Sequence, residues 1–207
     1  MKIGLLSDIH GDIEHLTLAL RLLDSHKVDQ VLCCGDLTDG GESQINAVIN
    51  AIRAHNIPCV LGNHDEMTDK EQQLLLEDQR RADELLKPEN IDFLHQLPRM
   101  TLYEFAGKTL ALFHATPWSN DIHIFSYSSD QLIQQVAAQS KADCAVFGHT
   151  HEAMRLHVND VWLFNPGSVY LNRFERTHTC AILSLPDFDY TVYDIKTGLP
   201  QRIPYIT

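Results

Sequence analysis

The sequence predicts an α/β fold, because short apolar segments alternate with segments of helical periodicity over residues 2–62. Three apolar runs, KIGLLS, QVLCCG and IPCVLG, each end at small or glycine residues, as buried strands do. Between them lie IEHLTLALRLLDSH and ESQINAVINAIRAH, whose apolar residues recur at helical spacing. This order of strand and helix predicts parallel strands in a sheet that is covered on both faces.

The rest of the chain is predicted to add helices and a series of short strands. Residues 66–97 are charged and helical in pattern, and we expect Pro88 to divide them. We interpret them as solvated helices over a sheet edge, with a lid as the alternative. RMTLYEFAG and KTLALFHAT predict a hairpin, SDQLIQQVAAQS a helix and DCAVFGH a strand. AMRLHV, VWLFNPGS, THTCAILSL and FDYTVYDI then predict an antiparallel continuation. We expect a single domain over residues 1–207, with a helical insertion at about 66–97.

The composition limits the partners and the compartment. The formal net charge is -12, from 28 acidic and 16 basic residues, which repels nucleic acid and argues against stable binding to it. A small phosphoester substrate remains compatible, since bound divalent cations reverse the local charge of a site. No apolar run is long enough to span a membrane, so we expect a soluble, cytoplasmic protein. The odd number of cysteines and the lack of a C-x-x-C motif predict reduced, buried thiols at Cys33, Cys34, Cys59, Cys144 and Cys180.

Polar residues of three types follow the predicted strands at the points where the strands end. In chain order, the groups are Asp8 and His10, Asp36, Asn63 with His64 and Asp65, His114, and His149 with His151. In an open α/β sheet, ligands bind beyond the carboxyl ends of the strands. We therefore expect these side chains to converge on one site.

The donor types in this set predict a metal site. Mixed oxygen and nitrogen donors suit divalent ions such as Mn, Fe and Zn, whereas a thiolate site is disfavoured. Seven donors are too many for one ion that also keeps an open position, but two ions sharing a carboxylate use them well. Such a pair, about 3.5–4 Å apart, is suited to displacement at phosphorus. Any one of these residues alone would be read as a surface histidine or a helix cap; the joint pattern argues against that reading.

Five motifs, in this order, resemble those of the calcineurin-like metallophosphoesterase superfamily: DIHGD, GDLTDGG, GNHD, FHA and GHTH. The resemblance extends from Asp8 to about Ser168, and the compact length resembles that of the small bacterial phosphodiesterase branch, which has no large cap. It implies two mixed β-sheets packed face to face and flanked by helices, with a dinuclear metal site at the carboxyl ends of the strands.

The resemblance also implies a role for each motif residue. One metal would be held by Asp8, His10, Asp36 and His151, and the other by Asp36, Asn63, His114 and His149, with Asp36 bridging. Mn is the first choice of metal, followed by Fe, Zn, Co or Ni. A metal-bridging hydroxide would attack phosphorus, His64 would protonate the leaving oxygen, and Asp39 would hold the His64 ring. Asp65 is interpreted as a turn or cap residue, and NPGS at 165–168 as a tight turn that supports the site.

The segment after His114, ATPWSNDIHIFSYSSD, gives a hint about the substrate. Its aromatic residues, with Trp118 and His123 as the candidates for substrate binding, either stack on a base or aryl leaving group or pack beneath the loop. Stacking would favour a nucleotide or a dinucleoside polyphosphate. The absence of an arginine cluster near the motifs favours a diester over a monoester. The alternative function is a non-catalytic protein-binding scaffold, because the branch also resembles a retromer subunit in which the GNHD histidine is replaced. The oligomeric state stays open.

Overall fold

The computed structural model describes residues 1–38, 44–66, 86–171 and 178–203, together with a short strand at 205–206. Its helices are α1 (Ile13–Ser25), α2 (Ile45–Ala54), α3 (Pro88–His95) and α4 (Asp130–Ser140). Its strands are β1 (Lys2–Leu6), β2 (Gln30–Cys33), β3 (Met100–Phe105), β4 (Lys108–Phe113), β5 (Cys144–Val146), β6 (Met154–Val158), β7 (Val161–Asn165), β8 (Thr179–Ser184), β9 (Asp189–Asp194), β10 (Pro200–Gln201) and β11 (Tyr205–Ile206).

The strands form two mixed sheets. One has the order β10-β9-β8-β1-β2, in which β1 pairs in parallel with β2 and antiparallel with β8. The other has the order β11-β6-β7-β5-β4-β3, with β5 parallel to both of its neighbours. The predicted α/β fold with two mixed sheets and flanking helices is therefore confirmed.

Adjacent apolar residues of the strands enter different layers of the core. Leu5 of β1 lies in the cluster between the two sheets, whereas Leu6 packs with α1 and α2 on the outer face. In the second sheet, Leu112 lies between the sheets and Phe113 packs under α4. Side chains alternate between the faces of a strand, so a strand covered on both faces is apolar at nearly every position. The result is four layers, α/β/β/α.

One predicted strand is reduced to an isolated bridge. The segment IPCVLG runs beside β2 and pairs only through Cys33 and Cys59. The Cys33 amide donates to the carbonyl of Pro58 at 2.9 Å, and the Val60 amide donates to the carbonyl of Cys33 at 3.2 Å. Pro58 itself has no N–H to extend this ladder, which is why the strand prediction was wrong here.

The predicted helical insertion is described only in part. Pro88 lies in the first turn of α3, a position where its missing N–H removes no helical hydrogen bond. Residues 67–85 lie outside the described residues, as does any lid that they would form. All five cysteines are buried and free, as predicted. Within the described ranges, no helix is long and apolar enough to cross a membrane.

Candidate metal centre

The structure brings the predicted ligands together at the carboxyl ends of the strands. They fall into two groups of buried side chains whose candidate ligand atoms lie within 4.8 Å of one another. One group contains Asp8, His10 and His151, and the other contains Asp36, His114 and His149. These residues follow β1 and β2 of the first sheet and β4 and β5 of the second. The site therefore lies where the carboxyl ends of strands from both sheets meet.

In the first group, two imidazoles and a carboxylate converge. The Nε2 atoms of His10 and His151 are 3.0 Å apart, and Oδ1 of Asp8 lies 3.3 Å from Nε2 of His151. The Asp8 carboxylate also accepts hydrogen bonds from Oγ of Ser7 at 2.5 Å and from the amide of His149 at 3.1 Å. These two donors hold Asp8 in place and tie the DIHGD turn to the GHTH turn.

In the second group, an amide oxygen joins the imidazoles. Oδ1 of Asn63 is 2.9 Å from Nε2 of His114 and 2.8 Å from Nδ1 of His149. Oδ2 of Asp36 lies between the two groups, 3.3 Å from Nε2 of His114 and 3.7 Å from Nε2 of His10. Asp36 therefore connects the two ligand groups.

The tautomers of three histidines direct Nε2 lone pairs into the two ligand groups, and those of His10 and His151 face each other. His10, His114 and His151 each place Nδ1 2.8–3.0 Å from a backbone carbonyl. A carbonyl only accepts, so the proton lies on Nδ1 and each neutral ring presents a lone pair at Nε2. Two such lone pairs at 3.0 Å repel unless a cation or a proton lies between them. This donor set therefore fits divalent metal ions, and the carbonyls are the outer contacts that orient metal-ligating imidazoles.

The remaining histidine is turned the other way. His149 directs Nδ1 at the site, and its Nε2 is buried without a hydrogen-bond partner among the described residues. The ring of His123 lies against it, with ring centroids 4.1 Å apart. His149 therefore forms the boundary between the ligand groups and the loop that follows β4.

The pKa values reflect a buried site rich in negative charge. Burial raises the pKa of the Asp8 carboxyl, but the hydrogen bond and charge of His151 hold it below its ordinary value. Burial lowers the pKa of His114, whereas the charge of Asp36 and its hydrogen bond raise it to about 9. Burial, with His114 and His123 nearby, lowers the pKa of His149 to about 4. The raised pKa of His114 shows that the carboxylates of this site favour a positive charge beside them, which a bound divalent ion would supply.

Five of the ligand residues have left-handed backbones. The φ angles of Asp8, His10, Asp36, His149 and His151 lie between 48° and 68°. This conformation costs about 1–3 kcal/mol per residue and is concentrated at functional sites. Interlocked turns hold it, since the carbonyl of Asp36 accepts from the amides of Ile9 and His10 at 2.8 and 3.0 Å. Asp, Asn and His tolerate this backbone better than most residues, so it also limits which residue types can occupy these positions.

Two motif glycines leave room for the carboxylates. A Cβ on Gly148 would overlap Oγ of Ser7 and approach Oδ2 of Asp8 to 2.5 Å. A Cβ on Gly62 would overlap the Asp36 carboxylate and its backbone amide. The GHTH and GNHD glycines are thus required by close packing against ligand oxygens, which fits a site built around those oxygens.

Asp65 has a larger role than the predicted turn or cap. Its carboxylate is buried, with 2% of the residue exposed, and accepts four backbone amides at 2.8–3.0 Å. Three of these amides belong to residues 36–38 and the fourth to Gly62. Asp65 thereby holds the loop that carries Asp36 against the GNHD turn. A motif gives no indication of this role, because the donors lie on another loop.

His64 lies at the exposed mouth of the site. Its ring is 5.1 Å from that of His10, edge to face, and its amide donates to Oδ1 of Asp36 at 3.0 Å. Its carbonyl accepts from Oγ1 of Thr38 at 2.5 Å. The backbone of His64 is therefore fixed beside both ligand groups. Asp39, its predicted partner, lies outside the described residues.

The NPGS segment supports the ligand turns from below. Nδ2 of Asn165 donates to the carbonyl of Gly148 at 2.8 Å, and Oγ of Ser168 donates to the carbonyl of Asp8 at 2.9 Å. The Ser168 hydroxyl also accepts the amide of Leu171 at 3.1 Å. Ser168 is therefore occupied in holding backbone, in agreement with its interpretation as part of a supporting turn.

The structure separates the two residues predicted to bind substrate. His123 contacts the ligand His149, so it lies beside the second group. Trp118 occupies a turn closed by hydrogen bonds between Thr116 and Ser119. The Trp118 residue is 38% exposed, and its ring contacts no aromatic ring in the described part of the chain.

Comparisons with known proteins agree with this geometry. The sequence matches the family model of the calcineurin-like phosphoesterase superfamily domain over residues 1–187. Phosphodiesterase MJ0936 of Methanocaldococcus jannaschii is 25% identical over 169 residues, which cover 81% of this chain and 83% of that protein. A metallophosphoesterase structure from Sphaerobacter thermophilus has a TM-score of 0.70 at 20% identity, covering 93% of this chain and 86% of that one. The zinc complex of Vps29 from Entamoeba histolytica has a TM-score of 0.61 at 17% identity, covering 97% and 96%. The chain belongs to the calcineurin-like phosphoesterase superfamily.

Proposed function

We propose that this protein is a phosphodiesterase that uses two divalent metal ions. The observation that carries the proposal is the pair of ligand groups with Asp36 Oδ2 between them, 3.3 and 3.7 Å from an imidazole of each. One ion would be held by Asp8, His10, Asp36 and His151, and the other by Asp36, Asn63, His114 and His149. Mn suits these mixed donors best, with Fe, Zn, Co or Ni as alternatives.

The bound ions would polarise the phosphoryl group and lower the pKa of the attacking water. The side chains of this protein do the rest. The carbonyl contacts at Nδ1 fix three imidazoles in the orientation that binding requires. The carboxylate of Asp65 and the Thr38 hydroxyl fix the loop and the turn that carry Asp36 and His64. His64, exposed at the mouth, is placed to give a proton to the leaving oxygen, and we retain Asp39 as its predicted partner.

Three arginines among the described residues favour a diester over a monoester. Arg53 donates to Asn90 at 3.0 Å, Arg99 pairs with Glu66 at 2.9 Å, and Arg155 lies over the ring of Trp162. The partner in each of these three contacts is a residue other than the metal ligands. A monoester carries a second negative charge that usually needs such a cation, whereas a diester does not. The substrate would be a small nucleotide or dinucleoside polyphosphate, while stable nucleic-acid binding and membrane binding are disfavoured by the charge and the composition. We also propose a cytoplasmic location.

A second candidate function is a protein-binding scaffold without catalysis. The likeness to Vps29 favours it, because the two folds match over nearly their whole lengths. The complete set of ligand residues and the exposed His64 favour the enzyme instead.

The experiment is hydrolysis of two diesters by metal-stripped protein with Mn added back. Bis-p-nitrophenyl phosphate has a leaving group that departs without a proton, and a dinucleoside monophosphate has one that needs it. Asp36→Asn should abolish turnover of both. His64→Ala should slow the dinucleotide by ~10²–10⁴-fold and the nitrophenyl ester less.

Matched changes at exposed positions of α3 serve as controls. Asp92→Asn and His95→Ala alter the same residue types away from the site and should retain wild-type rates. Folded protein that hydrolyses neither ester with Mn, Fe, Zn, Co or Ni would contradict the enzyme and favour the scaffold.

A further inference from the structure

Three aromatic rings form a parallel row in the loop that follows β4. His123 and Phe125 have ring centroids 5.8 Å apart at an interplanar angle of 13°. Phe125 and Tyr127 have centroids 5.1 Å apart at 4°. The rings belong to alternate residues, and a turn closed by the Ser128 amide on the carbonyl of Phe125, at 3.0 Å, carries the last two. We call this set the aromatic row.

The aromatic row begins at the metal centre and ends in solvent. The ring of His123 lies 4.1 Å from that of the ligand His149, tilted by 44°. At the far end, Tyr127 is 71% exposed. Among the described residues, no Lys or Arg side chain lies over any of the three rings, and the cation–π contacts are elsewhere. The row is thus an aromatic surface leading away from the second ligand group.

The loop holds the aromatic row in place by contacts on both sides. Nδ2 of Asn120, a residue only 3% exposed, donates to the carbonyl of Leu61 at 2.9 Å and to the Glu66 carboxylate at 3.0 Å. Ile124, between the first two rings, is buried in the core beneath the second sheet. The amide of Phe125 donates to Oγ of Ser128 at 2.9 Å. A binding surface fixed in advance loses little conformational entropy when it binds a ligand.

We propose that the aromatic row is a substrate subsite that stacks the base of a nucleoside leaving group. This inference rests on the proposed phosphodiesterase function and names its substrate class. A base attached near the reacting phosphorus would lie on His123, and the row continues far enough toward Tyr127 to stack a second ring of a longer substrate. Stacking on aromatic side chains tolerates any base, because every base has a π face. The subsite therefore selects for bases in general rather than for one base.

The test compares a dinucleoside monophosphate with its analogue that lacks the base on the leaving nucleoside. The wild type should prefer the complete substrate by about 5- to 100-fold in kcat/KM, the range that one stacked base provides. His123→Leu should remove this preference, whereas His123→Phe should keep it, because the ring and not the imidazole nitrogens is required. With a trinucleoside diphosphate cleaved so that its leaving group carries two bases, Tyr127→Leu should remove the further gain from the second base. Leu102→Ala, at an exposed position of β3, should change neither ratio.

A binding measurement separates this inference from the proposed function. The affinity of adenosine 5′-monophosphate relative to ribose 5-phosphate, measured by calorimetry, reports on the aromatic row even if no ester is hydrolysed. Equal affinities in the wild type, or a preference that survives His123→Leu with unchanged Mn content, would overturn the subsite. Hydrolysis without any base preference would overturn the subsite and leave the phosphodiesterase standing.

Discussion

Among the described residues, three groups combine one carboxylate with two histidines whose candidate ligand atoms lie within 4.8 Å of one another, and one of the three lies outside the predicted ligand set. Of the two compared, the first is Asp8, His10 and His151 of the metal centre, and the second, the Asp12 group, is Asp12, His15 and His178. In the first, the Nε2 atoms of the two imidazoles approach to 3.0 Å while the ring centroids are 5.0 Å apart, so the rings point at each other. In the second, the rings lie face to face with centroids 3.5 Å apart at 5°.

The difference shows that a metal site depends on where lone pairs point, and not on composition. A ligand nitrogen binds an ion in the plane of its own ring, and one ion cannot lie in two parallel planes that far apart. In the Asp12 group, both oxygens of the Asp12 carboxylate are also hydrogen-bonded to His15. Its Oδ2 is 2.6 Å from Nδ1 of His15, and its Oδ1 accepts the His15 amide as the N-cap of α1. We therefore interpret this group as a helix cap with a stacked histidine.

The largest expected effect comes from exchanging one histidine in each group. His151→Gln should lower Mn stoichiometry by one ion and slow diester hydrolysis by more than ~100-fold, because a ligand matters more than its outer contacts. His178→Gln should retain both ions and the rate. Metal analysis after dialysis, together with initial rates, measures both variants. Loss of metal from both variants, or from neither, would remove the distinction between the groups.

A smaller effect is expected from Asp65, whose carboxylate supports the Asp36 loop. Among the described residues, the Asp12 group has no such supporting carboxylate. Asp65→Asn replaces one carboxylate oxygen by an NH₂ that faces backbone N–H donors, so the Asp36 loop loses part of its support. Mn affinity, measured by calorimetry, should fall by roughly 10–100-fold, the usual cost of an outer contact. Asp143→Asn alters a carboxylate that accepts one amide, from Thr109, at the surface and is the control. Wild-type Mn affinity in Asp65→Asn would mean that the loop holds its shape unaided.

The smallest expected effect is a pH dependence of stability that arises from His178 of the Asp12 group. Burial lowers the pKa of His178, and the charges of His15 and Lys196 lower it further. The hydrogen bond to the carbonyl of Val169 and the charge of Asp12 raise it by less, so the pKa stays below its ordinary value. The unfolded chain then takes up a proton near the ordinary pKa of about 6.5 before the folded chain does. The stability that the neutral His178 ring provides is therefore fully present above about pH 6.5. It is lost as the pH falls from there through the lower pKa of the folded chain.

Thermal unfolding at pH 7.5 and pH 5 measures this contribution. His178→Gln removes the titrating ring and keeps a donor for the carbonyl of Val169. Between pH 7.5 and pH 5, the Tm of this variant should therefore fall by a few degrees less than the Tm of the wild type. Equal losses in both proteins would show that His178 titrates alike in the folded and unfolded chains.

The sequence predicts the positions of the ligands better than the arrangement of the sheets. Asp8, Asp36 and His149 follow apolar segments, and the rule that strand ends meet at one edge is enough to bring them together. The first sheet, however, depends on β8 pairing with β1, with Lys2 opposite Ser184. No local pattern specifies a pairing between the two ends of a chain, so the residues alone predict a parallel sheet with an antiparallel tail.

Site residues that act through the backbone were the hardest to predict. Asp65 has a clear role only when the amides of residues 36–38 are placed beside it. Trp118 and His123 are equally plausible in the sequence, and only the path of the loop brings His123 to His149. His15 and His178, interpreted as ordinary histidines, could not be distinguished from ligands by spacing, because the orientation of their rings decides.

The hydrogen bond from the His149 amide to Asp8 joins residues 141 positions apart. Closing a loop of that length is slow and costs entropy before any contact repays it. We therefore expect the ligands to come together late in folding. An ion that binds the assembled site stabilises the native state by mass action. During synthesis, neither ligand group is complete until the GHTH segment has left the ribosome, after β5 and before β6 and β7.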